Sequence, residues 1–173
     1  PGNSIINDWV SYSLDIQFDE YGNLAKKGKS SSDVVKKFLK SEFFYKPPPK
    51  SLDRDFFNYN LIPKNLSPED GASTAVDFVV GSIKKSESII PYKPDLWIVS
   101  GGGRKNESIM SGLSSALSSP VRTVDSFGLR GDFIEAEAFA YLAVRRIINL
   151  PTTFPKTTGC KVPTCGGRIT YYK

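Results

Sequence analysis

The chain has 173 residues, enough for one domain with a real core or one lobe of something larger. Its hydrophobic content of 39% and charged content of 24% are ordinary for a globular protein, and no apolar run approaches the ~20 residues that span a bilayer. The net charge of +5 is spread over separate pairs such as Lys26-Lys27 and Arg145-Arg146, so it reads as a solvated basic face and not as a nucleic-acid tract.

Histidine is absent, which removes every Ser-His and Cys-His nucleophile scheme. The two cysteines, Cys160 and Cys165, supply too few ligands for a structural zinc site, and they are expected to be reduced. No metal site is expected within the chain.

Taken in order, Ile5, Ile6, Trp9 and Val10 recur at helical spacing, with Asn3 or Ser4 as the cap. Residues 15–29 carry turn chemistry and predict a loop or hairpin-like excursion. Ser32 or Asp33 is expected to cap a second helix bearing Val34, Val35, Phe38 and Leu39. Pro47-Pro-Pro49 imposes an extended conformation, because each proline disfavours helix in the residue before it. The following 50–57 mixes charge with aromatics and is a candidate site loop, with Phe56, Phe57 and Tyr59 as anchors to the core.

Ser67-Pro-Glu-Asp70 is a helix start, combining a serine cap, a proline in the first turn and acids at the positive end of the dipole. Ala72, Ala75, Val76, Val79, Val80 and Ile83 continue it at a three-to-four spacing. Pro91 and Pro94 precede a short strand over 96–99, and Ile109, Met110, Leu113 and Leu117 mark the next helix. A second strand is predicted over 121–124. A long helix follows over 133–148, with Ala136, Phe139, Ala140, Ala143, Val144 and Ile147 on its buried face. A last strand is predicted over 168–172. Helix, strand, helix, strand, helix is the order of an α/β lobe. Residues 1–66 are too irregular to stand as a domain of their own, and 67–173 form the α/β region.

Three stretches carry the chemistry. Gly101-Gly102-Gly103 lies between a strand and a helix, where the missing Cβ atoms let a backbone approach a phosphate closely. The alternative is a tight turn that packs helix on strand, since the spacing matches neither a dinucleotide fingerprint nor a P-loop. Asn106 either caps the helix or reaches a ligand. Gly131-Asp132 with Glu135 three residues later has the form of a capping box, and the spacing favours that reading over a Glu135 carboxylate that orients a water or a sugar hydroxyl. Gly2 and Asn3 open the first helix, where backbone N–H groups can meet an anion or can fray.

Together these stretches resemble the C-terminal half of anhydro-N-acetylmuramic acid kinase, a sugar kinase of the actin/hexokinase-like superfamily. Pro1-Gly2-Asn3 resembles the end of that family's Asp-Thr-Gly-Pro-Gly-Asn loop. Pro47-Pro-Pro-Lys-Ser51, with Arg54 and Phe57, resembles its Pro-Pro-Lys-Ser segment. Val99-Ser-Gly-Gly-Gly-Arg-Lys-Asn106 resembles its Gly-Gly-Gly-x-x-Asn loop. Gly131-Asp132 and Glu135-Ala-Glu-Ala-Phe-Ala140, followed by Leu142-Ala143, resemble its Glu-Ala-x-Ala-Phe-Ala helix. Thr158-Gly159 matches its ending.

The resemblance implies a ribonuclease-H-like lobe of the actin-like ATPase type, forming the C-terminal half of a two-lobed kinase. It implies ATP with Mg²⁺ as cofactors and a cytoplasmic enzyme. That enzyme opens the anhydro bridge with water and phosphorylates O6, yielding N-acetylmuramic acid 6-phosphate in cell-wall recycling. Gly101, Gly102, Gly103 and Asn106 would line the nucleotide site, Gly2 and Asn3 would lie near the phosphates, and Glu135 would assist the water or the anhydro ring. The family's general base is the aspartate of Asp-Thr-Gly, which would fall before Pro1. Loss of a positioned base typically forfeits roughly 10²–10⁴ in rate. The chain alone is therefore expected to be inactive and to need an N-terminal half on a separate chain, with a homodimer as a further option. The alternative is a non-catalytic remnant acting as a binding or assembly module.

Overall fold

The computed structural model describes residues 2–171. Its centre is the longest helix, α3 (Pro68–Ser86), on which α1 (Ser4–Leu14), α2 (Ser32–Leu39) and α4 (Glu107–Ala116) all pack. The start of α3 is as the sequence predicts: Ser67 Oγ accepts from Asp70 N at 3.1 Å, and Pro68 occupies the first turn. Ala72, Ala75, Phe78 and Val79 are fully buried on it, in one core cluster with Ile5, Ile6, Trp9 and Val10 of α1.

Close approach of α1 to α3 depends on Gly71. A Cβ there would lie 2.1 Å from the Trp9 ring, whose Nε1 donates to the Pro68 carbonyl at 2.8 Å. A cluster of aromatic rings closes the other flank. Phe57 stacks on Phe44 at 5.4 Å and meets Phe78 at 5.1 Å, and Phe38 meets Phe78 edge-on at 4.9 Å. Phe57 and Tyr59 thus anchor their segment as expected, whereas Phe56 is exposed.

Two short strands, β1 (Trp97–Val99) and β2 (Val121–Thr123), pair in parallel with Trp97 opposite Val121. Helix α4 connects them, giving a β–α–β unit, and Gly112 lets α4 lie against Val80 of α3. The chain is thus a mixed α/β structure with a small parallel sheet.

Several expectations need correction. Asn3 sits at the cap position of α1 but makes no side-chain cap bond. Ser31, not Ser32 or Asp33, is the residue before α2, because Ser31 N donates to Thr74 Oγ1 and fixes the helix entry there. Residues 15–29 form two single 3₁₀ turns, 20–22 and 25–27, and no hairpin. Asp19 organises them by accepting from Leu24 N at 2.8 Å and Ala25 N at 3.0 Å. Residues 168–171 form no strand, and Tyr172 lies outside the described residues.

The largest departure concerns α5 (Ile134–Ile147). The helix forms where expected, but none of its residues is buried. Phe139 is 64% exposed and Ile147 69%, because no layer of the described chain lies over the stripe that the periodicity marked as core. The tail runs beside the helix, held by Arg145 Nε to the Pro151 carbonyl at 2.6 Å and Arg146 Nε to the Gly167 carbonyl at 3.0 Å. Short helix α6 (Pro155–Thr158) lies in that tail, and Cys160 and Cys165 are both free.

Candidate active site

The glycine turn leaves β1 at Ser100. Gly101 has φ 74° and ψ −176°, a backbone conformation open essentially to glycine alone. A 3₁₀ turn over Gly102–Lys105 follows at once, and the first N–H groups of such a turn have no partner within it. Asn106 then ends the turn and starts α4. Its Oδ1 accepts from Ile109 N at 3.0 Å, so the cap reading of Asn106 holds in this structure.

Arg104 locks the turn in place. Its side chain is only 6% exposed. Nη1 donates to the Gly101 carbonyl at 3.0 Å, Nε donates to Asp125 Oδ2 at 2.6 Å, and Nη2 reaches Asp132 Oδ1 at 3.0 Å. Gly131 packs flat against this guanidinium, since a Cβ there would lie 2.2 Å from Nε, and Gly131 N donates to Asp125 Oδ1 at 3.3 Å.

One buried cation thereby joins the glycine turn, the 3₁₀ turn over 124–127 and the start of α5. The cluster is electrostatically self-consistent. The hydrogen bond from Arg104 holds the Asp125 carboxyl below its ordinary range, and that bond in turn raises the Arg104 guanidinium. Asp132 is lowered first by its bond from Lys105, at 2.7 Å, and then by Arg104.

These ion pairs overturn the capping-box reading of Asp132 and Glu135. Phe133 occupies the cap position of α5 in a helical conformation with no side-chain cap. The Asp132 carboxylate is instead engaged by two cations, Arg104 at 3.0 Å and Lys105 at 2.7 Å. Glu135, released from any capping role, is exposed in the first turn of α5.

The structure brings the sequence-selected residues around Gly102. A concavity of about 360 Å³ is bordered by Ser100, Gly101, Gly102, Gly131, Asp132 and Glu135. A second, on the strand side, is bordered by Gly2, Asn3 and Gly101–Gly103, together with Trp97 and Val99. Asn3 approaches the turn closely: a Cβ on Gly102 would lie 3.4 Å from Asn3 Nδ2. Glu135 and Asn3 therefore flank the same turn without sharing one depression. Asn106 borders a third hollow with Asn3 and Gly102.

The 50–57 segment is tied to α1 by Arg54 Nη2 on Asp8 Oδ1 at 3.1 Å. It does not border any of these three hollows. Sequence reasoning missed Arg104 and Asp125, whose pairing spans 21 positions and leaves no local signature. Among the described residues no group of three or more His, Cys, Asp or Glu is placed to hold a metal ion, and no helix is long and apolar enough to cross a membrane.

A profile of the anhydro-N-acetylmuramic acid kinase family matches residues 1–172. Curated relatives of that name include proteins from three bacteria. The one from Zymomonas mobilis is 46% identical over 171 residues, 99% of this chain and 47% of the relative. The one from Rhodospirillum rubrum is 43% identical over 168 residues, 96% of this chain and 44% of the relative. The one from Paramagnetospirillum magneticum is 41% identical, with 97% and 48% covered. The chain thus spans about half the length of the curated relatives it matches.

Proposed function

The chain belongs to the anhydro-N-acetylmuramic acid kinase family, and from that premise we propose that it supplies the nucleotide side of an ATP-dependent anhydro-sugar kinase. In this reading the lobe is ribonuclease-H-like, of the actin-like ATPase type. Residues 67–173 form its α/β nucleotide-side region and 1–66 the irregular helical and loop region that follows the phosphate loop. What carries the reading is one juxtaposition: Gly101 and Gly102 border the same concavity as the exposed carboxylate of Glu135, with Asn3 against the other flank of Gly102.

The reaction opens the 1,6-anhydro bridge of anhydro-N-acetylmuramic acid. Water adds its oxygen to C1 as the C1–O6 bond breaks. O6 takes the γ-phosphoryl group, and ADP leaves. Glu135 orients the water or assists the anhydro ring, while the general base that the partner half would supply takes the water's proton. The exposure of Glu135 beside the turn suits that work, whereas Asp125 and Asp132 are already engaged by Arg104 and Lys105. The N–H groups at the start of the 102–105 turn face developing charge on the phosphates, with Gly2 and Asn3 alongside.

Phosphoryl transfer depends chiefly on positioning and charge neutralisation. Mg²⁺ would enter on the phosphates of ATP, which it neutralises, since the residues around the turn build no cage of their own. The general base and most of the sugar contacts would come from a partner corresponding to the other half of the relatives. The setting would be cytoplasmic, in recycling of cell-wall sugar.

The exposed stripe of α5 favours a second reading, in which the chain is a non-catalytic assembly module. The test is incubation with MgATP and the anhydro sugar, alone and together with a polypeptide corresponding to that other half, with mass-spectrometric detection of N-acetylmuramic acid 6-phosphate. Product from the pair, abolished by Glu135→Gln, supports the kinase. No product from a pair that co-purifies supports the assembly module instead.

A further inference from the structure

The sheet is unfinished along one side. Among the described residues β1 has a single neighbour, β2, and no strand lies along its other edge. Trp97 N donates to the Pro120 carbonyl at 2.8 Å, and alternate residues of a parallel strand face the same neighbour. The N–H and C=O of Ile98 therefore point to the open edge, which is a template for another strand. Parallel sheets are as a rule covered on both faces, yet the Ile98 side chain is 54% exposed.

A groove of about 360 Å³ lies at that edge. It is bordered by all three residues of β1 and by none of β2, which places it on the open side. Its apolar border comes from Val79 and Ile83 of α3 and from Ile109 and Leu113 of α4, the same core layer on which Trp97 and Val99 pack. The two helices thus extend beyond the strands they cover. Trp97, also on this groove, adds a second signal. Its Nε1–H is buried and finds no acceptor among the described residues, whereas the indole of Trp9 donates to the Pro68 carbonyl. A buried donor left unbonded is costly and rare in folded chains.

We infer that an extended segment from the half of the relatives that this chain does not span adds a strand at the open edge of β1. It pairs with the backbone of Ile98, lays apolar side chains on Val79, Ile83, Ile109 and Leu113, and brings an acceptor to Trp97 Nε1. The occupant follows from the coverage: the match takes in 99% of this chain and 47% of the Zymomonas mobilis relative, so in that protein a stretch of similar length accompanies this one in a single polypeptide. The two halves then interlock through one sheet instead of only facing each other across a cleft. Because β1 runs into the glycine turn, one end of the added strand lies beside the candidate site. The inference takes from the proposed function only the partner half, and not the role of the turn.

The test is hydrogen–deuterium exchange of the chain alone and of the chain co-expressed with the unmatched half of the Zymomonas mobilis relative. Alone, the Ile98 amide should exchange roughly tenfold faster than the bonded amides of Trp97 and Val99, and in the pair that contrast should vanish. Ile98→Pro removes the edge N–H but none of the bonds between β1 and β2. It should keep the circular dichroism of the chain and weaken the pair by roughly tenfold or more, since a hydrogen bond is lost and a ring stands against the incoming strand. Ile98→Val should bind as the parent does. The exchange contrast uses the parent chain, so it decides even if the proline variant unfolds. Protection of Ile98 in the chain alone, whether by its own fold or by a second copy at high concentration, overturns the inference. A pair in which Ile98 still exchanges freely, held for instance by the exposed stripe of α5, overturns the strand and leaves the partner half standing. No pair at all overturns the partner half, and this inference falls with it.

Discussion

Asn106 was open to two readings in the sequence, and a pair of substitutions separates them quantitatively. In the structure its Oδ1 accepts from Ile109 N in a buried setting, and the residue is 7% exposed. Asn106→Ala removes the acceptor and leaves that N–H without it. Loss of an N-cap costs about 1 kcal/mol, within a range of ~0.5–2, and a buried unsatisfied donor costs ~1–3 kcal/mol. The two figures describe one broken bond and do not add, so a loss of about 1–2 kcal/mol is expected, or a fall of roughly 2–8 °C in Tm for a chain of this size.

Asn106→Asp keeps an acceptor at the same place and is a good cap, so its stability should lie within about 0.5 kcal/mol of the parent. Its added negative charge next to the turn should nevertheless weaken MgATP binding. Urea unfolding followed by circular dichroism, with MgATP titration of both variants, reads both effects. Asn106→Ala unfolding at the parental midpoint would refute the assignment of the cap. Equal destabilisation by Asp and Ala would show that the amide NH₂, not Oδ1, is the group that matters.

Other substitutions probe the scaffold around the site. Gly71→Ala gains helix propensity worth ~1 kcal/mol but drives a methyl to 2.1 Å from the buried Trp9 ring. Overpacking costs ~1–3 kcal/mol, and separation of α1 from α3 should make the net change destabilising in thermal unfolding. Gly131→Ala should displace the Arg104 guanidinium and speed amide exchange at Gly101–Gly103, read by hydrogen–deuterium exchange. Unchanged protection would show that Arg104 does not hold the turn.

Glu87, at the end of α3, is held down to about 2 from an ordinary 4.5 by hydrogen bonds from Lys84 and Ser118. A depressed carboxyl contributes stability that is present above pH ~4.5 and is lost as pH falls toward ~2. Glu87→Gln should therefore flatten the stability profile between pH 4.5 and 2, and an unchanged slope in acid unfolding would contradict the bonding.

Much of the architecture was legible because it is local. The Ser67 cap, the strand that runs into three glycines and the helix starting at Asn106 are each encoded within a few residues, and they appear as read. The stripe on α5 was equally clear as periodicity, yet periodicity reports a face that can be buried and not what lies over it; Phe139 and Ile147 are exposed.

Asp132 failed for a different reason. A capping box is a two-residue rule, and it could not foresee that Arg104 and Lys105, more than twenty positions earlier, would claim the carboxylate. The same blindness hid the Arg104–Asp125 pair that fixes the turn. Glu135 was legible only through family resemblance, since its spacing alone favoured a cap that the folded chain does not make.

The central claim is that the Gly101–Gly103 turn, with Asn3 beside it, receives the phosphates of a nucleotide. Titration of the ¹⁵N-labelled chain with MgADP, followed by amide chemical shifts, addresses it directly. Saturable shifts centred on Gly101, Gly102, Gly103 and Asn3, and absent with the free nucleoside at the turn itself, are the predicted result. Saturable shifts confined to other parts of the chain, or no shifts at millimolar MgADP, would contradict it.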